Sequence, residues 1–388
     1  MIIETYNIPL RMSDEASERW RALLETARDA YNEAAGIVMG LVSLSLKTVH
    51  NACYDRLRAD FPLLSSQMAV KCEQAALSAV KSIRSNKHKG AKTPERKSLT
   101  MVLDKRLYGL MTTEGITLSG IVPNKRVLVP FDLFPKAAQM LADYKACDPT
   151  MFYRDGRFYL SVPFEVPERP VTNDTCIGVD MGERQFFVTS EGKAFDDHRY
   201  LAERRKVRYN KRALQSKGTK SAKRRLKKAR RHEANMSKDM CYRAAKALIS
   251  STDASVLVFE DLSKIKQKTA KNKEGYTRKR HNNAFGQVPL REFRRIVEYK
   301  APLAGKRVET VSPTYTSQTD SRTGKKNGER RGRRFYASDG VVLDADWNAA
   351  INIGQRSKHP VSSSLPMDGS IEPLSGRRVS VRQSRGRA

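Results

Sequence analysis

The sequence predicts an α+β, multidomain chain, with a β-barrel or sandwich interrupted by a helical insertion and then a mixed α/β domain. Helical periodicity is confined to an early block, β-rich runs lie on either side of it, and short apolar strands alternate with long basic helices in the second half. A chain of 388 residues exceeds the usual size of one domain, so two or three cores are expected.

An opening strand is expected over 2–10, followed by Ser13 as the N-cap of a helix. The apolar positions of that helix, Trp20, Leu23, Leu24, Ala27, Tyr31 and Ala34, recur at helical spacing. Two more helices are expected over 47–61 and 65–85, and the basic stretch 87–97 breaks the pattern. From 99 to 166 the chain turns β-rich, with strands expected over 125–131 and 151–162 between Gly and Asp turns. A Pro-marked linker, 163–170, leads to the second half. There the expected elements are an apolar hairpin (175–190), a very basic helical segment (200–250) and an apolar strand (255–259). A Lys-rich loop (264–283), a helix (289–304), a strand (307–311) and a final helix from Asp344 follow. The stretch after Gln355, rich in Ser, Pro, Gly and Arg, is expected to be disordered.

Lys and Arg total 73 against 42 Asp and Glu, a formal charge of +31 that opposes compaction unless a polyanion offsets it. Nucleic acid is therefore the first partner to consider. A membrane is not expected as a partner, because no apolar run reaches the roughly 18 residues of a spanning helix. With no signal-peptide pattern at the N-terminus, a soluble, cytoplasmic protein is expected. The five cysteines, Cys53, Cys72, Cys147, Cys176 and Cys241, are scattered and form no C-x-x-C pair. They read as small core side chains in a reducing compartment.

Three acids stand out because each closes or interrupts an apolar element. Asp180 follows Ile177-Gly178-Val179, with glycines permitting close approach on both sides. Glu260 ends Val256-Leu257-Val258-Phe259, and Asp346 lies in the first turn of the last helix, where the helix dipole favours its charge. A carboxylate at the end of a buried strand is costly without a compensating cation. Hard oxygen ligands suit Mg²⁺, and two such ions about 3.5 to 4 Å apart serve phosphodiester hydrolysis. Taken singly, Asp344 or Asp346 reads equally well as a helix cap and Glu260 as a surface acid.

The region 175–354 resembles the TnpB nucleases of insertion sequences and their relatives, the compact type V CRISPR effectors. The resemblance rests on Gly178-Val179-Asp180-Met181-Gly182, the basic helical stretch with His232 and Asn235, and Val258-Phe259-Glu260-Asp261-Leu262. It continues through Glu298-Tyr299-Lys300-Ala301, Thr316-Ser317-Gln318 and Asp346-Trp347-Asn348-Ala349-Ala350-Ile351-Asn352-Ile353. It implies a wedge-like β-barrel (1–12 and 98–170), a helical recognition lobe (13–97) and an RNase H-like (RuvC) α/β nuclease domain (171–354). It further implies that Asp180, Glu260 and Asp346 are catalytic and hold two Mg²⁺ ions. The expected activity is RNA-guided cleavage of DNA by a prokaryotic or phage-encoded protein, and the expected partners are a guide RNA and double-stranded DNA with a short flanking motif. Guided binding without cleavage and an unguided RNase H-fold nuclease are the alternatives.

In many relatives a four-cysteine zinc ribbon lies between the last two motifs. This chain has Thr319-Asp320-Ser321-Arg322-Thr323-Gly324 and Phe335-Tyr336-Ala337-Ser338-Asp339-Gly340 at the matching places. The insertion near 314–340 is therefore expected to fold without structural zinc, since it offers neither Cys nor His. Arg204, Arg205, Lys223, Arg224, Lys227 and Lys228 are candidates for backbone contacts to a guide–target duplex, with a solvated helical face as the plainer alternative. Arg330, Arg331, Arg333 and Arg334 are candidates for guiding a strand toward the acids. Lys266, Lys268, Lys271 and Lys273 suggest a mobile loop over the site or, equally, an ordinary disordered linker.

Overall fold

Two units emerge in the computed structural model, Met1–Pro167 and Glu168–Ala388, and each is taken by itself. The structure describes residues 1–86, 92–122, 125–182, 185–261, 289–362 and 372–374. The Lys-rich segment 264–283 lies outside the described residues.

In the first unit, β1 (Ile2–Pro9) pairs antiparallel with β8 (Arg157–Val166), which pairs in turn with β7 (Thr150–Arg154), and β7 with β2 (Leu99–Val102). The short β6 (Lys145–Ala146) also joins β8. A separate three-stranded sheet holds β3 (Tyr108–Met111), β4 (Gly115–Val122) and β5 (Lys125–Pro130). The expected barrel is not closed: among the described residues, the bridge Leu10↔Phe131 stands where a barrel needs a continuous ladder. Three helices fill the interval the periodicity assigned to them, α1 (Asp14–Gly40), α2 (Leu46–Asp60) and α3 (Ser66–Ser85). Ser13, Ser45 and Ser65 cap them by accepting a backbone N–H three residues on. Trp20, Leu24, Ala27 and Tyr31 of α1 are buried. A short helix, α4 (Pro135–Asp143), sits in the stretch expected to be β-rich, started by Pro135 in its first turn.

The second unit is built on a six-stranded sheet in the order β13-β12-β9-β10-β11-β17. β9 (Cys176–Asp180), β12 (Val256–Glu260) and β13 (Arg307–Val311) are parallel. β10 (Phe187–Thr189) runs antiparallel to β9 and to β11 (Lys193–Phe195). Between β11 and β12 lie two helices, α5 (His198–Lys217) and α6 (Lys220–Ser250), where one basic helical segment was expected. Gly218 at φ 63° breaks them, and Thr219 caps the second. α6 and α7 (Leu290–Lys300) cover one face of the sheet, while α8 (Ala345–Gln355) lies against β9. Phe293 of α7 anchors the first face, within 4.9 Å of Phe186 and 5.7 Å of Phe187 between ring centroids.

Two described pieces of the stretch after 355 pair with the sheet. Val361 bridges Cys176 in parallel, and β17 (Glu372–Pro373) adds to β11. Backbone pairing to strand edges holds these two pieces. Residues 363–371 and 375–388 of that stretch are outside the described set. Four of the five cysteines, Cys53, Cys72, Cys176 and Cys241, are buried side chains. Among the described residues no helix is long and apolar enough to cross a membrane.

Candidate active site

Strand parity brings the acids together. Successive side chains of a strand alternate between faces. Ile177 and Val179 of β9, with Leu257 and Phe259 of β12, pack toward α6 and α7. Cys176, Val256 and Val258 pack with Ile353 of α8 on the other face. Gly178 also meets α8, so Asp180 and Glu260, two residues beyond Gly178 and Val258, fall on the α8 side. The parallel register pairs Phe259 with Val179, which puts the two acids at neighbouring strand ends.

Asp346 arrives from α8, which runs antiparallel to β9. Cys176 Sγ reaches the Gly354 carbonyl at 3.6 Å, and an ideal Cβ on Gly178 would stand 1.9 Å from the Ala350 carbonyl oxygen. One helical turn before Ala350 is Asp346, and one strand repeat beyond Gly178 is Asp180. Glycine at 178 is what lets the helix backbone lie on the strand. Asp344 starts α8 by accepting from the N–H groups of Asp346 and Trp347, at 3.0 and 3.1 Å. Trp347 Nε1 donates to the Ser190 carbonyl at 3.0 Å and fixes the helix on the sheet.

Burial, then the like charges of Glu260 and Asp346, push Asp180 up to about 8. Burial also raises Glu260, opposed by the hydroxyl of Thr316, which donates to Glu260 Oε1. Arg294 donates to the Glu260 carbonyl oxygen at 3.0 Å and so holds the strand end. Arg330, on β14 (Glu329–Arg331), pairs with Asp346 Oδ1 at 2.6 Å. Among the described residues no three His, Cys, Asp or Glu side chains are grouped closely enough to hold one ion, so the expected three-acid cage is not closed here. A guanidinium, rather than another carboxylate, takes up Asp346. The donor chemistry still fits a divalent cation: the set is all oxygen, and a cation removes the like-charge and burial penalty on Asp180.

Thr316, Arg294 and the asparagines of α8 were not singled out from the sequence as site residues. Asn348 accepts from Ser321 N at 2.9 Å and donates to the Thr319 carbonyl at 2.8 Å. Asn352 donates to the carbonyls of Thr316 and Thr319. The Asn-x-x-x-Asn spacing on one helix face was the available signal. Together they hang the segment carrying Thr316 on the helix carrying Asp346.

At the places matching the absent cysteines, Arg322 Nη2 bridges Asp320 Oδ2 at 2.7 Å and Asp339 Oδ2 at 2.9 Å. Asp320 is 1% exposed, and the guanidinium holds both carboxyls below their ordinary range. A donor set of two carboxylates already closed on a guanidinium does not fit structural zinc. The hairpin of β14 and β15 (Arg334–Tyr336), joined by β16 (Val342–Asp344), closes over the buried ring of Phe335.

The basic candidates divide. Arg205, Lys223, Arg224, Lys227, Lys228, Arg333 and Arg334 are exposed. Arg204 is half-buried beside the Tyr200 ring, at 5.6 Å, with its Nε buried. Arg331 pairs with Glu329 at 2.7 Å, and Arg330 with Asp346. Arg204 thus packs beside a protein ring, and Arg330 is ion-paired while remaining exposed.

A family model described as Cas12f1-like, TNB domain, matches residues 291–353, from α7 through the β14–β16 sheet into α8. The CRISPR-associated endodeoxyribonuclease Cas12f2 of Micrarchaeota archaeon (strain CG1_02_47_40) is 32% identical over 132 residues. The match covers 30% of this chain and only 23% of that protein's length. Among solved structures, a Cas12f1–sgRNA–target DNA complex aligns with a TM-score of 0.63 at 17% identity, covering 88% of this chain and 83% of that one. That likeness shows a shared fold. The matches bear out the resemblance to compact type V CRISPR effectors and TnpB-like proteins.

Proposed function

We propose that this chain is an RNA-guided DNA endonuclease in which Asp180, Glu260 and Asp346 form a RuvC-type, Mg²⁺-dependent site. The observation that carries the reading is the convergence of acids from three distant segments on one side of a sheet. The sheet order, three parallel strands continued by an antiparallel hairpin, supports an RNase H-like domain. The charge of +31 and the fold shared with a protein solved with guide RNA and target DNA support those two partners, the DNA double-stranded with a short flanking motif.

Two Mg²⁺ ions held by the three carboxylates would supply activation of the attacking water and charge neutralisation at the leaving oxygen. The chain's own residues supply position. Thr316 orients Glu260, Asp344 sets the first turn of α8 and thereby Asp346, and Gly178 lets α8 approach. Burial and the neighbouring acids favour the protonated form of Asp180, and a bound cation would favour its carboxylate.

One observation favours a second reading, guided binding without cleavage. Arg330 already neutralises Asp346 where a cleaving site needs that acid for a cation. One experiment separates the two. The chain is purified from cells carrying its own locus, bound RNA is sequenced, and DNA matching that RNA is added with Mg²⁺. Cut DNA supports the endonuclease, bound but intact DNA supports the silent reading, and absence of bound RNA contradicts both.

A further inference from the structure

The outward face of α5 is exposed among the described residues. Inward, the helix buries Tyr200 and Val207, and its polar groups are matched across the pair with α6. Tyr200 Oη shares a hydrogen bond with Ser237 Oγ at 3.0 Å, and Lys211 and Arg208 both meet Glu233. Outward lie Arg205, Lys206, Tyr209, Asn210 and Arg212, all exposed.

Tyr209 is 75% exposed, the most exposed aromatic side chain among the described residues. No hydrogen bond, ring contact or cation contact to it is seen among those residues. A single exposed apolar ring needs no explanation by itself. What distinguishes this one is its setting. Arg205 (i−4), Lys206 (i−3) and Arg212 (i+3) are its neighbours on the helix surface, where such spacings bring side chains within about 6 Å. Neither Arg205 nor Arg212 makes an ion pair among the described residues. Over 198–250 the chain carries nineteen Lys and Arg against three acids.

We propose that Tyr209 is a stacking platform for an unpaired base of bound nucleic acid, with Arg205 and Arg212 holding the flanking phosphates. The proposal rests on the nucleic-acid reading above and names the surface and the contact. A cationic helix face alone suits any polyanion, but an open ring at its centre adds the one interaction that bases offer and acidic peptides lack. Bases inside a duplex have both faces covered, so the ligand is a single-stranded segment or a splayed base. Guide RNA and displaced DNA share that chemistry.

The test uses the full chain carrying Tyr209→Trp. The other tryptophans, Trp20 and Trp347, are buried, so the new indole reports its own surroundings. Unpaired RNA and DNA oligonucleotides of equal length, a blunt duplex and poly-glutamate are titrated in turn. Quenching by the unpaired strands and not by the duplex is expected, and the relative affinity of the RNA and DNA arms tells which source is preferred. Tyr209→Ala should weaken unpaired-strand binding about 5- to 150-fold, while Tyr209→Phe retains it. Arg205→Ala should reduce the salt slope by about one phosphate contact. Emission unchanged while the strand binds, or equal quenching by poly-glutamate, overturns the platform and leaves the proposed function standing. No binding of any nucleic acid by the unsubstituted chain overturns both.

Discussion

Gly178→Ala tests the contact that brings Asp346 to Asp180. The added Cβ would stand 1.9 Å from the Ala350 carbonyl oxygen and 2.4 Å from Gly354 N. Ordinary contact begins near 3.4 Å, so helix and strand must separate by about 1.5 Å. Both obstacles are backbone, and no rotamer change relieves them. Overpacking of this kind costs about 1 to 3 kcal/mol. That lowers the melting temperature of a unit this size by about 2 to 12 °C. Asp346 moves with the helix, and a 1 Å misplacement of a reacting group costs about 100-fold in rate. Single-turnover cleavage should therefore fall by about 100-fold or more, while guided binding, measured by gel shift in the same preparation, stays within a few-fold. Gly36→Ala is the control, because nothing lies within 4 Å of its Cβ position and alanine favours the helix. Cleavage at the parental rate by Gly178→Ala would refute the packing of α8 on β9.

Asp180→Asn should stabilise the metal-free chain. A carboxyl raised from 3.8 to about 8 opposes folding increasingly as pH rises from 4 to 8. The gain at pH 8 has an upper bound of about 5 kcal/mol and should close toward pH 4, followed by thermal melts across that range. A variant less stable than the parent at pH 8 would contradict the burial of Asp180 among acids. Thr316→Val removes a hydrogen bond that lowers Glu260, so the acid limb of the cleavage profile should move to higher pH, and an unmoved limb would contradict the contact. Asp339→Asn opens one arm of the Arg322 bridge, and amides over 316–341 should then exchange faster with solvent. Elemental analysis of the parent should find no stoichiometric zinc, whereas one zinc per chain in this segment would overturn the bridge as its staple.

Much of the fold was legible because local signals were strong. Ser13, Ser45 and Ser65 announce helices through their caps, and the parity of Ile177, Val179, Leu257 and Phe259 against Asp180 and Glu260 is written in the strands. The open edges of the first unit were not legible, because barrel closure depends on register between distant strands. The division of the basic segment at Gly218 was legible in retrospect, from a glycine followed by a threonine cap. Thr316, Asn348 and Asn352 stand in the motifs that carry the resemblance, but their role is tertiary, fixing a loop whose composition reads only as polar. Arg330 reads from the sequence as a candidate for guiding a strand toward the acids, and its ion pair with Asp346 depends on a three-residue strand that no propensity marks.

The central claim is that Asp180, Glu260 and Asp346 act together on DNA chosen by a guide. Its most direct test measures Mg²⁺-dependent cleavage of guide-matched DNA by Asp180→Ala, Glu260→Ala and Asp346→Ala beside the parent, with binding recorded in the same samples. Each single variant should bind as the parent does and cut at background rate. Cleavage at the parental rate by any one of the three would contradict that claim.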